Sequence, residues 1–339
     1  METIGPMKIV GEGFDAPVTV PLATYESPLW PSTNRGARIS AVTAGIQTTL
    51  IDERMTRSIV LSAPSTVYLA KLKSDIEADD SALKKAAEST SRFAKLINFH
   101  VHIVGNLFYL RLEFTTGDAS GHNMATLAAD NVIKYLLKAY PTLEYGSISG
   151  NFCTDKKVSA VNSLLGRGKY VVAEILIDRK ICARYLKTTP EKMVKLNIEK
   201  NLIGSIAAGS LHSANSHYAN ILLALYLATG QDAANIVEGS QGITHTEVRD
   251  DQLYFSVTLP NIIVGTVGNG KDFDFVKENL ALMGCNDDNA PAVNARRLAM
   301  ITAATVLCGE LSCLAAQTNP GELIGSHLRI ERNKGETCA

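Results

Sequence analysis

Lys95-Leu-Ile-Asn-Phe-His-Val-His-Ile-Val104 and Leu107-Phe-Tyr-Leu-Arg-Leu-Glu-Phe-Thr115 are two alternating runs separated only by Gly105-Asn106. Alternation with period two suits strands that bury one face, and Gly with Asn between such runs signals a hairpin. Reading outward, Ser58 to Ala63 is a strand candidate and Ser65 to Thr90 a helix. On the other side, Ala119 to Ala139 sets Leu127, Val132, Leu136 and Leu137 near helical spacing, and Pro141 stops the helix. A strand at Tyr145 to Ser149 closes the unit. The order β-α-β-β-α-β is the split βαβ, ferredoxin-like arrangement. Residues 55–150 therefore read as a small domain inserted into a larger, discontinuous one made of residues 1–54 and 151–339.

The flanking parts mingle strands and helices without a repeated βαβ rhythm, which favours α+β over a doubly wound sheet. Met7 to Val10 and Val18 to Pro21 are extended pieces, and Thr33 to Thr49 reads as a helix start followed by strand. Val158 to Leu164 and Pro190 to Leu196 read as helices, with a strand at Tyr170 to Ile177. Asn201 to Thr229 reads as one long Ala/Gly/Ser-rich helical stretch, Gln252 to Val264 as two strand-like runs, and Asp287 to Gln317 as a second long helix.

The 339 residues are 46% hydrophobic and 20% charged with net charge −1, the balance of a soluble globular protein. No basic excess points to nucleic acid and no charge block to a membrane surface. Cys153, Cys182, Cys285, Cys308, Cys313 and Cys338 lack CxxC or disulfide-framework spacing, and no signal peptide precedes them, which points to reduced thiols in the cytoplasm. Tyr218 to Ala228 is too short to span a bilayer, and Leu298 to Ala316 carries Glu310, so both read as buried helices. Nothing in the spacing of potential ligands asks for a metal.

Four polar clusters carry the chemistry. Asn151-Phe-Cys-Thr-Asp-Lys-Lys157 puts Lys156 and Lys157 directly after Asp155, and a lysine beside a carboxylate can be held charged and aimed at a developing oxyanion. Glu26 follows an apolar strand, Asp232 follows an apolar helical run, and His327 follows Gly321 and Gly325 in a segment read as a mobile flap. Singly, each has a plain reading: a solvated turn, a strand end, a helix cap, an exposed histidine. Together, an acid, a lysine, an aspartate and a histidine suffice for carbonyl reduction with proton delivery. Three further stretches suit phosphate. Gly265-Thr-Val-Gly-Asn-Gly-Lys271 is a glycine-rich turn, alternatively a hairpin loop. Asp118 to Met124 precedes a helix whose first amides attract anions. Ser89-Thr-Ser-Arg-Phe93 offers a guanidinium.

In this order along the chain, Val20-Pro-Leu-Ala-Thr-Tyr-Glu26, Met55-Thr-Arg57, Ser89-Thr-Ser-Arg-Phe93, Ser149-Gly-Asn-Phe-Cys-Thr-Asp-Lys-Lys157, Lys200-Asn-Leu-Ile-Gly204, His217-Tyr-Ala-Asn220, Gly230-Gln-Asp-Ala-Ala234, Gly265-Thr-Val-Gly268 and Ser326-His327 resemble the catalytic portion of the 3-hydroxy-3-methylglutaryl-coenzyme A reductase family. The resemblance implies a large CoA-binding domain carrying an inserted dinucleotide-binding domain, and reduction of the thioester to mevalonate and CoA. It implies that Lys156 stabilises the oxyanion, Glu26 supplies a proton, Asp232 bonds both, and His327 protonates the departing thiolate. Arg57, Ser149, Asp155, Lys157, Lys200 and Asn220 would surround the hydroxymethylglutaryl group, and His217 would lie near CoA. Ser91, Arg92, Phe93, Asp118, Gly121, Asn123, Met124, Val267, Gly268 and Gly270 would hold the dinucleotide. Arg92 and Asn123 favour NADPH, with NADH possible, since NADH readers use a carboxylate on the free ribose hydroxyl. A homodimer or higher homo-oligomer with active sites between subunits is implied as well. Set against the pattern, the chain is expected to lack the family's N-terminal helical region and membrane anchor. It also carries Tyr25 beside the acid, where it would reshape the acyl pocket, and His122 and Lys271 in the nucleotide segments. Two other readings share these residues: a homologue that binds CoA esters or a partner without turnover, and a reductase of a different acyl-CoA.

Overall fold

The structure is a computed structural model that describes residues 1–11, 13–14 and 16–332; Cys338 lies outside the described residues. The chain opens with β1 (Glu2–Met7), the short β2 (Ile9–Val10) and β3 (Val18–Leu22), of which β1 and β3 pair antiparallel. Helix α1 (Leu29–Ala41) follows. Then comes β4 (Ile46–Ser62), a single strand of 17 residues. Its first half pairs with β8 as far as Arg54, and its second half pairs with β6 from Met55 onward. The change of partner falls where composition suggests a boundary, yet the strand runs straight through it.

The second half of β4 is followed by α2 (Thr66–Ala78), α3 (Ser81–Glu88), β5 (Leu96–Val104), β6 (Leu107–Phe114), α4 (His122–Ala139) and β7 (Glu144–Ser147). These strands lie in the order β5-β6-β4-β7, every neighbouring pair antiparallel. Their buried face and the three helices enclose a core of their own that includes Ile59, Leu61, Leu72, Phe108, Leu110 and Val132. The single helix expected from Ser65 to Thr90 is two helices. Asp79 accepts a bond from the Ser81 amide at 2.9 Å and diverts the backbone at the join, an alternative to helix that short carboxylates favour.

Beyond the loop 148–159 come α5 (Ala160–Leu165), β8 (Gly168–Asp178), α6 (Pro190–Leu196), α7 (Tyr218–Ala228), the single turn α8 (Ile236–Gly239), β9 (Ile243–Arg249), β10 (Gln252–Ile262), α9 (Asp274–Leu282), α10 (Val293–Gln317) and α11 (Glu322–Arg332). Strands β4, β8, β10 and β9 form one continuous antiparallel path, and with the helices the fold is mixed α+β. The helix expected across 201–229 is interrupted: a turn through Gly209 (φ 74°) and the Ser/Asn-rich 210–217 separates an irregular helix from α7. The two runs expected in Gln252–Val264 are one strand. Its hairpin partner β9 went unread, although Asp250 and Asp251 (φ 45° and 66°) make the two-residue positive-φ turn that hairpins prefer.

Helix α10 is long and apolar enough to cross a membrane by composition, but 94% of that window is buried inside the protein. It crosses α1 at Gly36, where an added Cβ would sit 2.2 Å from the Cys308 carbonyl oxygen. Only glycine permits that approach, and it brings α1 against the central helix beneath the site.

Candidate active site

The loop that follows β7 is held in an unusual backbone. Asn151, Thr154 and Lys156 have φ of 59°, 41° and 56°. Non-glycine residues rarely adopt this left-handed region and do so where surrounding contacts over-determine them. Here the Asn162 side chain donates to the Thr154 carbonyl at 3.1 Å, and the Lys156 amide donates to Glu238 at 3.1 Å. Asp155 accepts from the buried Arg167 at 2.6 Å, and Arg167 also donates to the Thr56 carbonyl at 2.7 Å. The loop thereby aims Lys156 Nζ at Asp232 Oδ2, 2.6 Å away. The other Asp232 oxygen accepts from the Ala234 amide at 3.1 Å and caps a short 3₁₀ turn.

The electrostatics follow from these contacts. The bond to Asp232 raises the Lys156 ammonium above its ordinary value, against a smaller opposing effect of burial. Burial works to raise Asp232, but the bonds from Lys156 and the Ala234 amide outweigh it and the carboxyl ends lower. Asp155 behaves alike, burial being outweighed by Arg167 and its other positive neighbours. Burial pushes the His122 imidazole, 3.8 Å from Asp155, down to about 4, and Arg167 adds to the effect. His122 is thus neutral beside a charged pair at neutral pH.

A cleft of about 200 Å³ is lined by Glu26, Ser32, Arg35, His217, Cys313 and His327 among others. Glu26 accepts a hydrogen bond from Asn220 at 3.0 Å. No hydrogen bond joins it to Asp232 or Lys156 among the described residues, so Asp232 bonds the lysine and Asn220 bonds the acid. His217 opens α7, its amide donating to the buried Glu310 at 3.1 Å and its Nε2 lying 3.0 Å from the Gly309 carbonyl. Burial opposes the charge on His217, yet Cys313 and Glu310 outweigh it and push the imidazole up to about 9. Lys200 donates to Ser216 at 2.8 Å, one residue away. Arg57 donates to Thr126 on α4 at 3.0 Å, and Lys157 donates to the Asp155 carbonyl at 3.0 Å. The Gly150 amide donates to the Ser58 carbonyl at 2.7 Å, which sets Ser149 beside the Arg57 strand. Tyr25 is fully exposed and does not line this cleft.

The nucleotide candidates gather around the start of α4. Gly121 (φ 92°) precedes that 18-residue helix with no side-chain cap among the described residues; Asn123 is exposed and Met124 half-buried. The Thr266 amide donates to the Asp118 carbonyl at 2.8 Å, and Val267 bridges to Ala119. Gly268 (φ 97°) has open space where a Cβ would be, and Gly270 (φ 83°) backs onto the Gly230 carbonyl. Arg92 lies 4.8 Å over the Phe93 ring, the Phe93 amide donates to Ser91 at 3.1 Å, and the ring reaches Gly117. The Asp118 carboxylate is committed elsewhere, accepting the Ala292 and Ala295 amides at 2.8 and 2.9 Å at the start of α10. Lys271 lies out of solvent. It is buried on the Gly230 carbonyl, and burial pulls its ammonium down to about 8.

The family profile of hydroxymethylglutaryl-coenzyme A reductase matches residues 2–332. The chain belongs to that family. The reductase of Aeropyrum pernix is 44% identical over 330 residues, covering 97% of this chain and 78% of the relative. That of Pyrococcus horikoshii is 44% identical over 319 residues, covering 93% and 77%. The reductase of Methanocaldococcus jannaschii is likewise 44% identical, covering 97% and 81%. In fold, the class II reductase from Streptococcus pneumoniae, solved bound to NADPH, superposes with a TM-score of 0.74 at 20% identity, covering 94% of this chain and 76% of that one.

Sequence reading of this reductase-family chain missed Arg167, Glu238 and Glu310, all buried charges that hold the backbone or the carboxylate next to a candidate residue. The one available signal was a charge standing inside an apolar run, as Glu310 does in α10.

Proposed function

We propose that this chain reduces hydroxymethylglutaryl-CoA to mevalonate and CoA in two reductive steps. The observation that carries the reading is the Lys156–Asp232 pair at 2.6 Å, on a loop whose backbone is held in a costly conformation to make it. A reduced nicotinamide dinucleotide supplies the hydride in both steps when bound. Lys156 stabilises the oxyanion that forms on the substrate carbonyl, and Asp232 keeps the ammonium charged. Glu26 delivers a proton at the aldehyde level, and His327 protonates the thiolate as CoA leaves. Arg57, Ser149, Asp155, Lys157, Lys200 and Asn220 recognise the hydroxymethylglutaryl carboxylate and hydroxyl, and His217 lies against CoA.

Residues 55–150 act in this reading as an inserted ferredoxin-like dinucleotide-binding domain within residues 1–54 and 151–339. The uncapped start of α4 and the open space at Gly268 suit a pyrophosphate. NADPH fits better than NADH: Arg92 is exposed and cationic, whereas the Asp118 carboxylate, the type of group that reads a free ribose hydroxyl, is occupied by the start of α10. Ser91, Phe93, Gly121, Asn123, Met124, Val267 and Gly270 complete that site. The cleft with Glu26 and His327 is lined by no residue of 55–150 among the described residues, which supports a homodimer or higher homo-oligomer whose partner supplies the nucleotide domain.

Three measurements test the reading. The wild-type protein is expected to oxidise NADPH with hydroxymethylglutaryl-CoA and not with a panel of other acyl-CoAs; oxidation with none of them would favour a CoA-ester binder without turnover. His327→Ala is expected to lose thioester reduction while keeping reduction of supplied mevaldehyde, and equal loss with both substrates would sink its role. Arg92→Ala is expected to raise KM for NADPH by roughly tenfold, the scale of one lost charge-assisted contact, and to leave KM for NADH unchanged. An unaltered KM for NADPH would count against the 2′-phosphate assignment.

A further inference from the structure

We propose that Glu238 is a positioning residue for the reaction: its buried carboxylate holds the Lys156 backbone in the left-handed conformation that aims the ammonium at Asp232. The inference rests on the reductase reading above, but its geometry stands apart from the residues assigned there. Glu238 is fully buried on the single turn α8, six residues past Asp232. Its Oε1 accepts from the Lys156 amide at 3.1 Å and from the Asn235 side chain at 2.9 Å. Arg167 Nε lies 3.6 Å from the same oxygen. The other arm of Arg167 holds Asp155, so one buried cation spans the residue before Lys156 and the carboxylate that holds Lys156 itself.

Three features argue for positioning rather than packing. The first is the φ of 56° at Lys156, a conformation that a non-glycine residue holds only where its neighbours fix it. Secondly, the amide that Glu238 holds belongs to Lys156 itself, so any drift there is carried down the lysine side chain. A further point is that Glu238 Oε2 has no hydrogen-bond partner among the described residues although it is buried. A residue kept only for stability would more simply be apolar at that place, since a half-satisfied buried carboxylate is costly. The same element, α8, follows directly on the 3₁₀ turn capped by Asp232. Glu238 therefore ties together the two loops whose side chains form the Lys156–Asp232 pair.

Two substitutions separate the acceptor from the charge. Glu238→Ala is expected to lower kcat with hydroxymethylglutaryl-CoA by roughly 10–100-fold, the scale of a misplaced catalytic group, with KM changed by less than about threefold. Amide hydrogen exchange in peptides covering 151–158 is expected to accelerate in that variant while peptides from β8 and β10 stay protected. Glu238→Gln keeps an acceptor oxygen, and it is expected to restore both kcat and loop protection to within about threefold of wild type on the same scale. Full kcat and full protection in Glu238→Ala would overturn the proposal, as would equal damage in Gln and Ala. Faster loop exchange in Glu238→Ala, in a protein whose wild type oxidises no NADPH with this substrate, would support the clamp and overturn the reductase reading instead.

Discussion

Lys156→Ala is expected to reduce turnover roughly a hundredfold or more with both the thioester and a supplied aldehyde, the loss of ~2.7–4 kcal/mol that follows removal of one well-placed oxyanion donor. Both reductions build negative charge on a carbonyl oxygen, and in this chain Lys156 is the ammonium held by Asp232 at 2.6 Å. The pair is partly exposed, so its worth lies in aim rather than in fold stability. Its charge state follows from the two shifts. The Lys156 value is raised, so its charge is lost only above the ordinary lysine range. Asp232 is lowered, so its charge is lost only below the ordinary carboxylate range. The pair therefore persists across neutral pH, and any limb of the rate profile there belongs to other groups. Lys156→Arg is expected to rescue little, because a planar guanidinium cannot replace a compact ammonium at the end of a fixed loop. Steady-state kcat on both substrates is the measurement, and near-normal thioester reduction by Lys156→Ala would refute the assignment.

How much of this was legible in the chain depends on the range of the interaction. The β5–β6 hairpin could be read because its signal is local: alternation on both sides of Gly105-Asn106. Strand β9 has the same device in Asp250-Asp251, but Thr244 and Thr246, its buried residues, are polar enough to hide the alternation. The break before α7 is nonlocal. An Ala-rich stretch has helix propensity, yet Glu310 draws the Ser216 and His217 amides away and fixes where the helix must begin. The same limit applies to the site. Lys156 and Asp232 announce themselves by motif, whereas the functions of Glu238 and Arg167 exist only once distant segments close around the loop. Asp118 illustrates the converse, since its place before α4 suggests a dinucleotide contact and its carboxylate instead caps a helix from the far end of the chain.

Glu113→Ala is expected to destabilise the protein by about 3–5 kcal/mol, the range found when one partner of a buried ion pair is removed. Glu113 and Arg111 stand two residues apart on β6, and both side chains are wholly buried. Glu113 pairs with Arg111 through one oxygen and with Arg54 of β4 through the other, while His100 of β5 approaches at 3.3 Å. Without the carboxylate, Arg54 retains Asp52 at 2.6 Å near the surface. Among the described residues, Arg111 retains only the Gly166 carbonyl, and its Nε already lacks a partner. Burial has by then pushed the Arg111 guanidinium down to about 10, a sign of how little solvent reaches it. A cation so enclosed cannot be rehydrated without opening the sheet, so the cost falls on the β5-β6-β4 pairing and on the joint between β6 and the Gly166 turn that leads into β8. Glu113→Gln keeps the shape and loses the charge, and it is expected to fall between wild type and alanine. Urea unfolding followed by circular dichroism measures the shift in midpoint at constant slope. A change of less than about 0.5 kcal/mol, the range of an ordinary surface substitution, would mean that the cluster is solvated in solution and does not hold the sheets together.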